Sequence, residues 1–376
     1  MSLEERLARV ALSRLVEPGE PRVGNLLAEL GASRLHRMLA EERDATGLLT
    51  DVAARLVALD PEAEIAAAKA KGLRFVIPSD DEWPSQLDDL AATEPLQGRG
   101  GVPVGLWVRG PVRLDELSGS VAVVGARSAT TYGASVARDV GTALGGEGIC
   151  VVSGAAFGID QAAHRGALVG GGPTVAVLAC GADRVYPAAH RELIEHLARH
   201  GAVVSEAAPG CAPMRVRFLS RNRIIAALSR ATVVVEAAAR SGALNTANWA
   251  GRLNRVVLGT PGPVTSAQSE GVHHLIRSGA ATLVTNGPDV LESIGRPGEH
   301  LQLDPRGPTR VRDHLTGRQA QVLDAVPVAT AASTSSIART AGVGESEVAA
   351  ALQHLHAQDL VTRGEGGWIL GAAALD

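Results

Sequence analysis

Over the first 80 residues apolar side chains recur at helical spacing. MSLEERLARVALSRL, VGNLLAELG, HRMLAEE and LLTDVAARLVAL each repeat them three or four apart, predicting a helical domain over residues 1–80. From Lys71 to Ser120 the pattern is mixed and punctuated by Pro78, Pro84, Pro103 and Pro111, with one short run, VGLWVRG, that reads as an edge strand. Between Ser120 and Leu291 the pattern changes. VAVVGA, CVVSG, TVAVLACG, AVVSE, ATVVVEA, RVVLG and TLVT are continuous apolar runs separated by helical stretches. Strands without polar alternation are buried on both faces, so these runs predict an α/β domain over 81–294 with a parallel sheet at its core. The polar, Pro- and Gly-containing stretch 295–310 reads as a linker. Two short helices, a longer helix and a Gly-turned hairpin then follow over 311–376, the pattern of a winged helix-turn-helix.

Composition narrows the possible functions. The formal net charge is −4, which excludes a globally basic nucleic-acid coat but not a local basic site. Aromatics make up only 2% of the chain, so the core must be aliphatic and alanine-rich, and a protein stacking many bases is excluded. Cys150, Cys180 and Cys211 show no CxxC spacing, so neither a disulfide framework nor a zinc site is expected, and the chain reads as cytoplasmic. No charge-free apolar run reaches the roughly 18 residues of a membrane helix. Residues 311–376 hold Arg312, Arg318, Arg339 and Arg363 against seven acids, and the longer helix opens with Glu345 and Glu347. Phosphate neutralisation needs positive charge, so a protein contact or a structural role suits this region better than DNA.

Ligands of open parallel sheets bind beyond the carboxyl ends of the strands, and four segments place distinctive residues there. In VAVVGARSATTYG, Gly125 gives room for an anion and Arg127 a fixed fork of donors; a plain strand-to-helix turn is the alternative. In VVSGAAFGIDQAAH, Ser153, Gly154 and the helix start near Gly158 form an anion seat. Asp160 and His164 there stand four apart and could face each other, although locking the helix start suits them better than acid–base work. The segment PMRVRFLSRNRIIAALS packs Arg215, Arg217, Arg221 and Arg223 beside Phe218, with no acid. Single-stranded nucleic acid suits that mixture; a helix with a solvated basic face and Phe218 in the core suits it equally. In VVVEAAARSGALNTANWA, Ser241, Gly242 and Thr246 open another helix after Glu236, which could hold one of these arginines or a sugar hydroxyl.

These segments resemble the DprA/Smf family, the bacterial DNA-processing proteins of natural transformation. The resemblance rests on VAVVGARSATTYG, SGAAFGIDQAAHRGAL, CGADRVYP, Ser205-Glu206, FLSRNRIIAALS, VVVEAAARSGALNTA and PGPVTSAQSEGVHHLIRSGA, seven motifs in order across residues 120–290. It implies an extended Rossmann-like domain between a helical, SAM-like or helix-hairpin-helix-like N-terminal region and a C-terminal winged helix. It also implies a non-enzymatic protein of competence that binds incoming single-stranded DNA, protects it and helps load a RecA-type recombinase, as a homodimer. On that pattern Arg127 and Ser128 contact phosphate, supported by Ser153 and Gly154. Arg215 stands where the family often has lysine, Phe218 is the aromatic beside it, and Arg221, Asn222 and Arg223 match its RNR motif. His273, Leu275 and Ile276 fall in the region tied to family dimerisation. The chain departs from the pattern at Ala126, where Thr or Ser is common, and at Leu219, which replaces Pro. EPGEPRVGNLL lacks the second glycine of a hairpin GxG, so independent DNA binding by that region is not expected.

Neither a catalytic constellation, a metal site nor a cofactor is expected. The main alternative is a nucleotide-processing, phosphoribohydrolase-like enzyme on a related fold, whose PGGxGTxxE string is missing from this chain. A transcription factor acting through the winged helix is a third reading, opposed by that region's acidic balance.

Overall fold

The structure, a computed structural model, describes residues 3–43, 46–47, 50–302 and 309–374. The chain clusters into two compact units, residues 1–302 and 303–376. Positions 303–308 of the expected linker lie outside the described residues.

In the first unit, helices α1 (Leu3–Leu15), α2 (Pro21–Leu30), α3 (Ala32–Ala40), α4 (Asp51–Val57) and α5 (Pro61–Ala70) precede strands β1 (Leu73–Val76) and β2 (Leu106–Arg109). Strands and helices then alternate: β3 (Val121–Val124), α6 (Thr131–Gly146), β4 (Val151–Ser153), α7 (Ile159–Val169), β5 (Thr174–Val177), α8 (Arg191–His200), β6 (Ala202–Ser205) and α9 (Arg215–Leu228). After β7 (Ala231–Val234) come α10 (Gly242–Arg252), β8 (Val256–Gly259), α11 (Glu270–Arg277), β9 (Thr282–Leu283) and α12 (Gly287–Ile294). All nine strands form one sheet in the order β1-β2-β6-β5-β4-β3-β7-β8-β9. The seven from β6 to β9 run parallel, and β2 and β1 extend the sheet in antiparallel register.

The seven apolar runs expected as strands are the seven parallel strands. VGLWVRG differs from expectation: as β2 it lies inside the sheet, between β1 and β6, because Leu106, Trp107 and Val108 are buried and need cover on both sides. The true edge on that side is β1, within the stretch that the sequence pattern marks as connector.

Alternation along each strand feeds two cores. Ala122 and Val124 of β3 pack with Ile224–Leu228 of α9 and Trp249 of α10 on one face. Val121 and Val123 pack on the other with Val140 and Leu144 of α6 and Ile159 of α7. Each face removes continuous aliphatic surface from water, the dominant favourable contribution to folding. The N-terminal helices join the same unit: Leu12, Leu27 and Leu35 pack with Val104, and Arg9 donates to the Val104 carbonyl at 2.7 Å.

In the second unit α13 (Gly317–Asp324), α14 (Thr334–Ala341) and α15 (Glu345–Ala357) precede a hairpin of β10 (Val361–Gly364) and β11 (Gly367–Leu370). Thr316 and Gln319 form a capping box on α13, Ser333 caps α14, and left-handed Gly342 ends it. Val348, Leu352 and Leu355 carry α15 into this unit's own core, while Glu345 and Glu347 are exposed. Among the described residues no helix is long and apolar enough to cross a membrane.

Candidate nucleic-acid interface

β3 is followed in sequence by β4 on one side and flanked by β7 on the other. The order in which the chain adds strands reverses there, so the crevice beyond the carboxyl ends of β3 and β7 is the switch point where open parallel sheets bind ligands. Two short bonds knit its loops: Ala126 N–H donates to the Glu236 carbonyl at 2.7 Å, and Ile159 N–H to the Ala126 carbonyl at 3.2 Å.

Most of the anion seats expected at this edge are filled by the protein's own groups. Asp160 accepts from the N–H groups of Gly154 at 3.1 Å and Ala156 at 3.3 Å, so the seat before α7 already holds a carboxylate. Ser153 is fully buried and donates to the Val123 carbonyl at 2.7 Å, which removes it from contact with a ligand. Gly154 is needed for a different reason from the expected one. A Cβ there would lie 1.1 Å from an Nη of Arg221, so the missing side chain admits a guanidinium and not a phosphate. Gly158 has φ +77°, and a Cβ on it would stand 2.3 Å from the Ala126 carbonyl oxygen; Gly125 is closed in the same way by Ile159 and the Glu236 carbonyl. Ser241 caps α10 by accepting from Ala243 N–H at 3.3 Å, the Gly242 carbonyl accepts from Asn222, and Thr246 is buried. Glu236 holds no arginine: its carboxylate accepts from the backbone and hydroxyl of Thr130, which caps α6. Asp160 and His164 do not pair either, because His164 Nδ1 lies 2.7 Å from Thr174 Oγ1.

The exception is α9. Its N-cap is Met214, whose side chain accepts no hydrogen bond; Arg217 and Phe218 N–H donate to the Met214 carbonyl at 2.9 and 3.2 Å, and the N–H groups of Arg215 and Val216 keep the pull of this 14-residue helix on an anion. Arg215 is exposed in that first turn with no hydrogen-bond or ion-pair partner among the described residues. One turn on, half-buried Phe218 carries the Arg127 guanidinium 4.7 Å above its ring centroid and that of Arg221 at 6.0 Å. The Tyr186 ring lies 5.8 Å from the same centroid. Arg127 and Ser128 are exposed.

The second half of α9 turns inward. Arg223, expected at phosphate, is fully buried and forms a two-pronged ion pair with Glu206, both contacts at 2.7 Å; the carbonyls of Ser220 and Gly101 take further donors. Asn222 is buried against Asn245. Arg221 is buried, with Asp160 at 3.9 Å, the Val177 carbonyl at 3.3 Å and no partner for its Nε. Burial lowers the Arg221 pKa, Asp160 opposes that, and nearby Arg127 lowers it further. Burial likewise raises Asp160 against the pull of Arg221.

The loop between α1 and α2 seats itself on α9. Arg217 donates twice to Glu17, at 2.9 and 2.6 Å, Ser220 donates to the Pro18 carbonyl at 2.6 Å, and Gly19 N–H donates to Glu206 at 3.3 Å. EPGEPRVGNLL is therefore a packing element of the site. Of the residues expected at a dimer contact, Leu275 is buried in the core, Ile276 packs against it and His273 Nε2 lies 3.0 Å from the Gly262 carbonyl. α11 turns its apolar stripe to the sheet, so Leu275 is not available to a partner. Sequence reasoning missed Phe157 and Tyr186, both exposed at this edge; their signal was their rarity in a chain with three Phe and two Tyr.

The fold and this edge define a class: a Rossmann-like α/β protein whose strand-end crevice offers arginines and aromatic rings. The family model for DNA recombination-mediator protein A matches residues 74–295. A Mycobacterium tuberculosis chain described as a DNA processing protein DprA is 46% identical over 308 residues, covering 81% of this chain and 79% of that one. The crystal structure of DNA processing protein A from Streptococcus pneumoniae superposes with TM-score 0.64 at 33% identity, over 77% of this chain and 98% of that one. DNA processing protein A from Helicobacter pylori, whose structure concerns its single-stranded DNA binding mode, shares the fold with TM-score 0.51 at 24% identity, over 60% and 97%. The chain belongs to the DNA recombination-mediator protein A family.

Proposed function

We propose that this protein binds single-stranded DNA along the rim formed by Arg127, Ser128, Arg215 and Phe218. The observation that carries the reading is the Arg127 guanidinium standing 4.7 Å over Phe218 beside the uncapped start of α9. A phosphate takes the α9 N–H groups and Arg215, a second phosphate takes Arg127, and a base lies against the Phe218 ring. Binding of this kind is electrostatic and indifferent to sequence. Family membership and the single-stranded DNA binding of the Helicobacter pylori relative support it.

In the cell the protein protects incoming single strands in the cytoplasm during natural transformation and helps load a RecA-type recombinase, acting without catalysis and as a homodimer. Its functional regions are the helical segment 1–80, the binding domain 81–294, the linker 295–310 and a winged-helix domain 311–376, whose acidic balance suits a protein contact. A homodimer engaging one strand twice gains through effective concentration.

Fluorescence anisotropy of labelled single- and double-stranded oligonucleotides of equal length, titrated at several salt concentrations, tests the reading. Preference for the single strand with a negative salt slope is expected. Binding to duplex alone moves the site to the second unit. Release of free base from nucleoside monophosphates establishes the phosphoribohydrolase-like alternative.

A further inference from the structure

Of the five Phe and Tyr residues in the chain, only Phe75 is in the core. The other four, Tyr132, Phe157, Tyr186 and Phe218, all follow the carboxyl ends of parallel strands, in the loops and first helical turns after β3, β4, β5 and β6. Rings so scarce gather at one edge of one sheet, and three of them remain 41–47% exposed. Tyr132 donates its hydroxyl to the Pro261 carbonyl, and Tyr186 leans on Phe218, the ring already assigned to the rim. Phe157 packs into no core, yet its loop holds it firmly.

That loop is fixed on both sides. Ala155 sits at φ +52° and its carbonyl lies 2.9 Å from Nδ1 of buried His190. Gly158 sits at φ +77° with the Ala126 and Arg127 carbonyls filling the space a side chain would need. Between them, Phe157 meets the His190 ring edge-on at 4.6 Å. A large apolar ring held in a strained, over-determined turn and left in water is costly, and such strain concentrates where a ligand is received. The backbone of Arg127 lies against this turn while its guanidinium covers Phe218, so one residue joins the two rings.

We infer that Phe157 is a second stacking platform, taking an unstacked base of the same strand whose other base lies on Phe218. The inference rests on the single-stranded DNA reading above. It assigns the β4 end, whose anion seat is filled by Asp160, to a base and not to a phosphate. His190 is a positioning residue that sets the ring's tilt.

The test compares an oligothymidylate with an abasic strand of equal length and charge, for the full chain and its variants. Phe157→Ala is expected to weaken oligothymidylate binding roughly five- to a hundredfold, with the salt slope and the abasic affinity unchanged. Phe157→Trp is expected to restore binding and to show indole emission quenched by oligothymidylate but not by the abasic strand. Wild-type affinity in Phe157→Ala overturns the inference, as does an equal loss on both strands, which marks a structural role for the loop. If the wild-type chain itself shows no preference for single strands, the underlying reading falls, and the platform with it; that outcome is read without any variant.

Discussion

The crevice has a floor and a rim, built from the same short stretches of sequence. On the floor, Arg221, Arg223, Asp160, Glu206 and His164 are buried, and nearly every charge faces a partner inside the protein. On the rim, Arg127, Arg215, Phe157 and Tyr186 stand in solvent. One helix supplies both: α9 opens with Arg215 outside and two turns on carries Arg223 inside. Density of positive charge along a sequence therefore says little about charge available to DNA. What decides it is whether a carboxylate from elsewhere reaches the arginine first, as Glu206 reaches Arg223 and Glu17 reaches Arg217.

The contrast is sharpest at Glu206. Glu206→Ala strands a fully buried guanidinium, and a loss of about 3–5 kcal/mol in denaturant unfolding is expected. A loss under 1 kcal/mol in that experiment breaks the division between floor and rim. Arg127→Ala and Arg215→Ala should leave unfolding unchanged yet weaken single-stranded DNA roughly tenfold whatever its sequence, each reducing the salt slope by about 0.7. A variant that shifts sequence preference at constant slope has lost a base contact, and the phosphate role of that arginine falls with it.

Gly154→Ala forces a methyl into the place of the Arg221 guanidinium, and about 1–3 kcal/mol of stability should go with it. The floor also answers to pH. Burial pulls the His164 pKa from 6.5 to about 3, with His190 and Arg221 adding to the shift. The unfolded chain takes up that proton near pH 6.5 and the folded chain does not. His164 therefore leaves stability intact above 6.5 and erodes it as pH falls toward 3, by up to about 1.4 kcal/mol per pH unit. His164→Gln should flatten that acid limb in a series of denaturation curves. The smallest effect belongs to the half-buried pair that ties the α1–α2 loop to Arg217 of α9: Glu17→Gln should cost about 1 kcal/mol. Release of Arg217 should then raise affinity for single strands slightly, seen as a steeper salt slope.

The sheet was legible because its parallel strands are unbroken β-branched and alanine runs, and burial on both faces leaves no other use for such runs. β1 was not, since LRFV is short and carries Arg74, whose partners Glu82 and the Gly110 and Val112 carbonyls come together only in the folded chain. The rim was half legible. Arg127, Arg215 and Phe218 were named from the sequence, and the structure brings Arg127 and Phe218 together beside the uncapped start of α9 that carries Arg215. Ser153, Gly154 and Arg223 were named for a ligand but serve the interior. Their partners, Val123, Arg221 and Glu206, stand 17 to 67 residues away in the chain, and only the folded arrangement puts them in reach. An Asp in the first turn marks α7 as a helix whose seat is filled from within, and Met214, with no capping oxygen, leaves the start of α9 open once the fold sets it at the N-cap.

The loop of Pro18 and Gly19 lies across α9 and shares Glu206 with Arg223. Amide hydrogens beneath it can exchange with solvent only when that clasp opens, and opening it exposes a buried ion pair. The Glu17–Gly19 loop and the floor of the crevice are therefore expected to open to exchange as one unit.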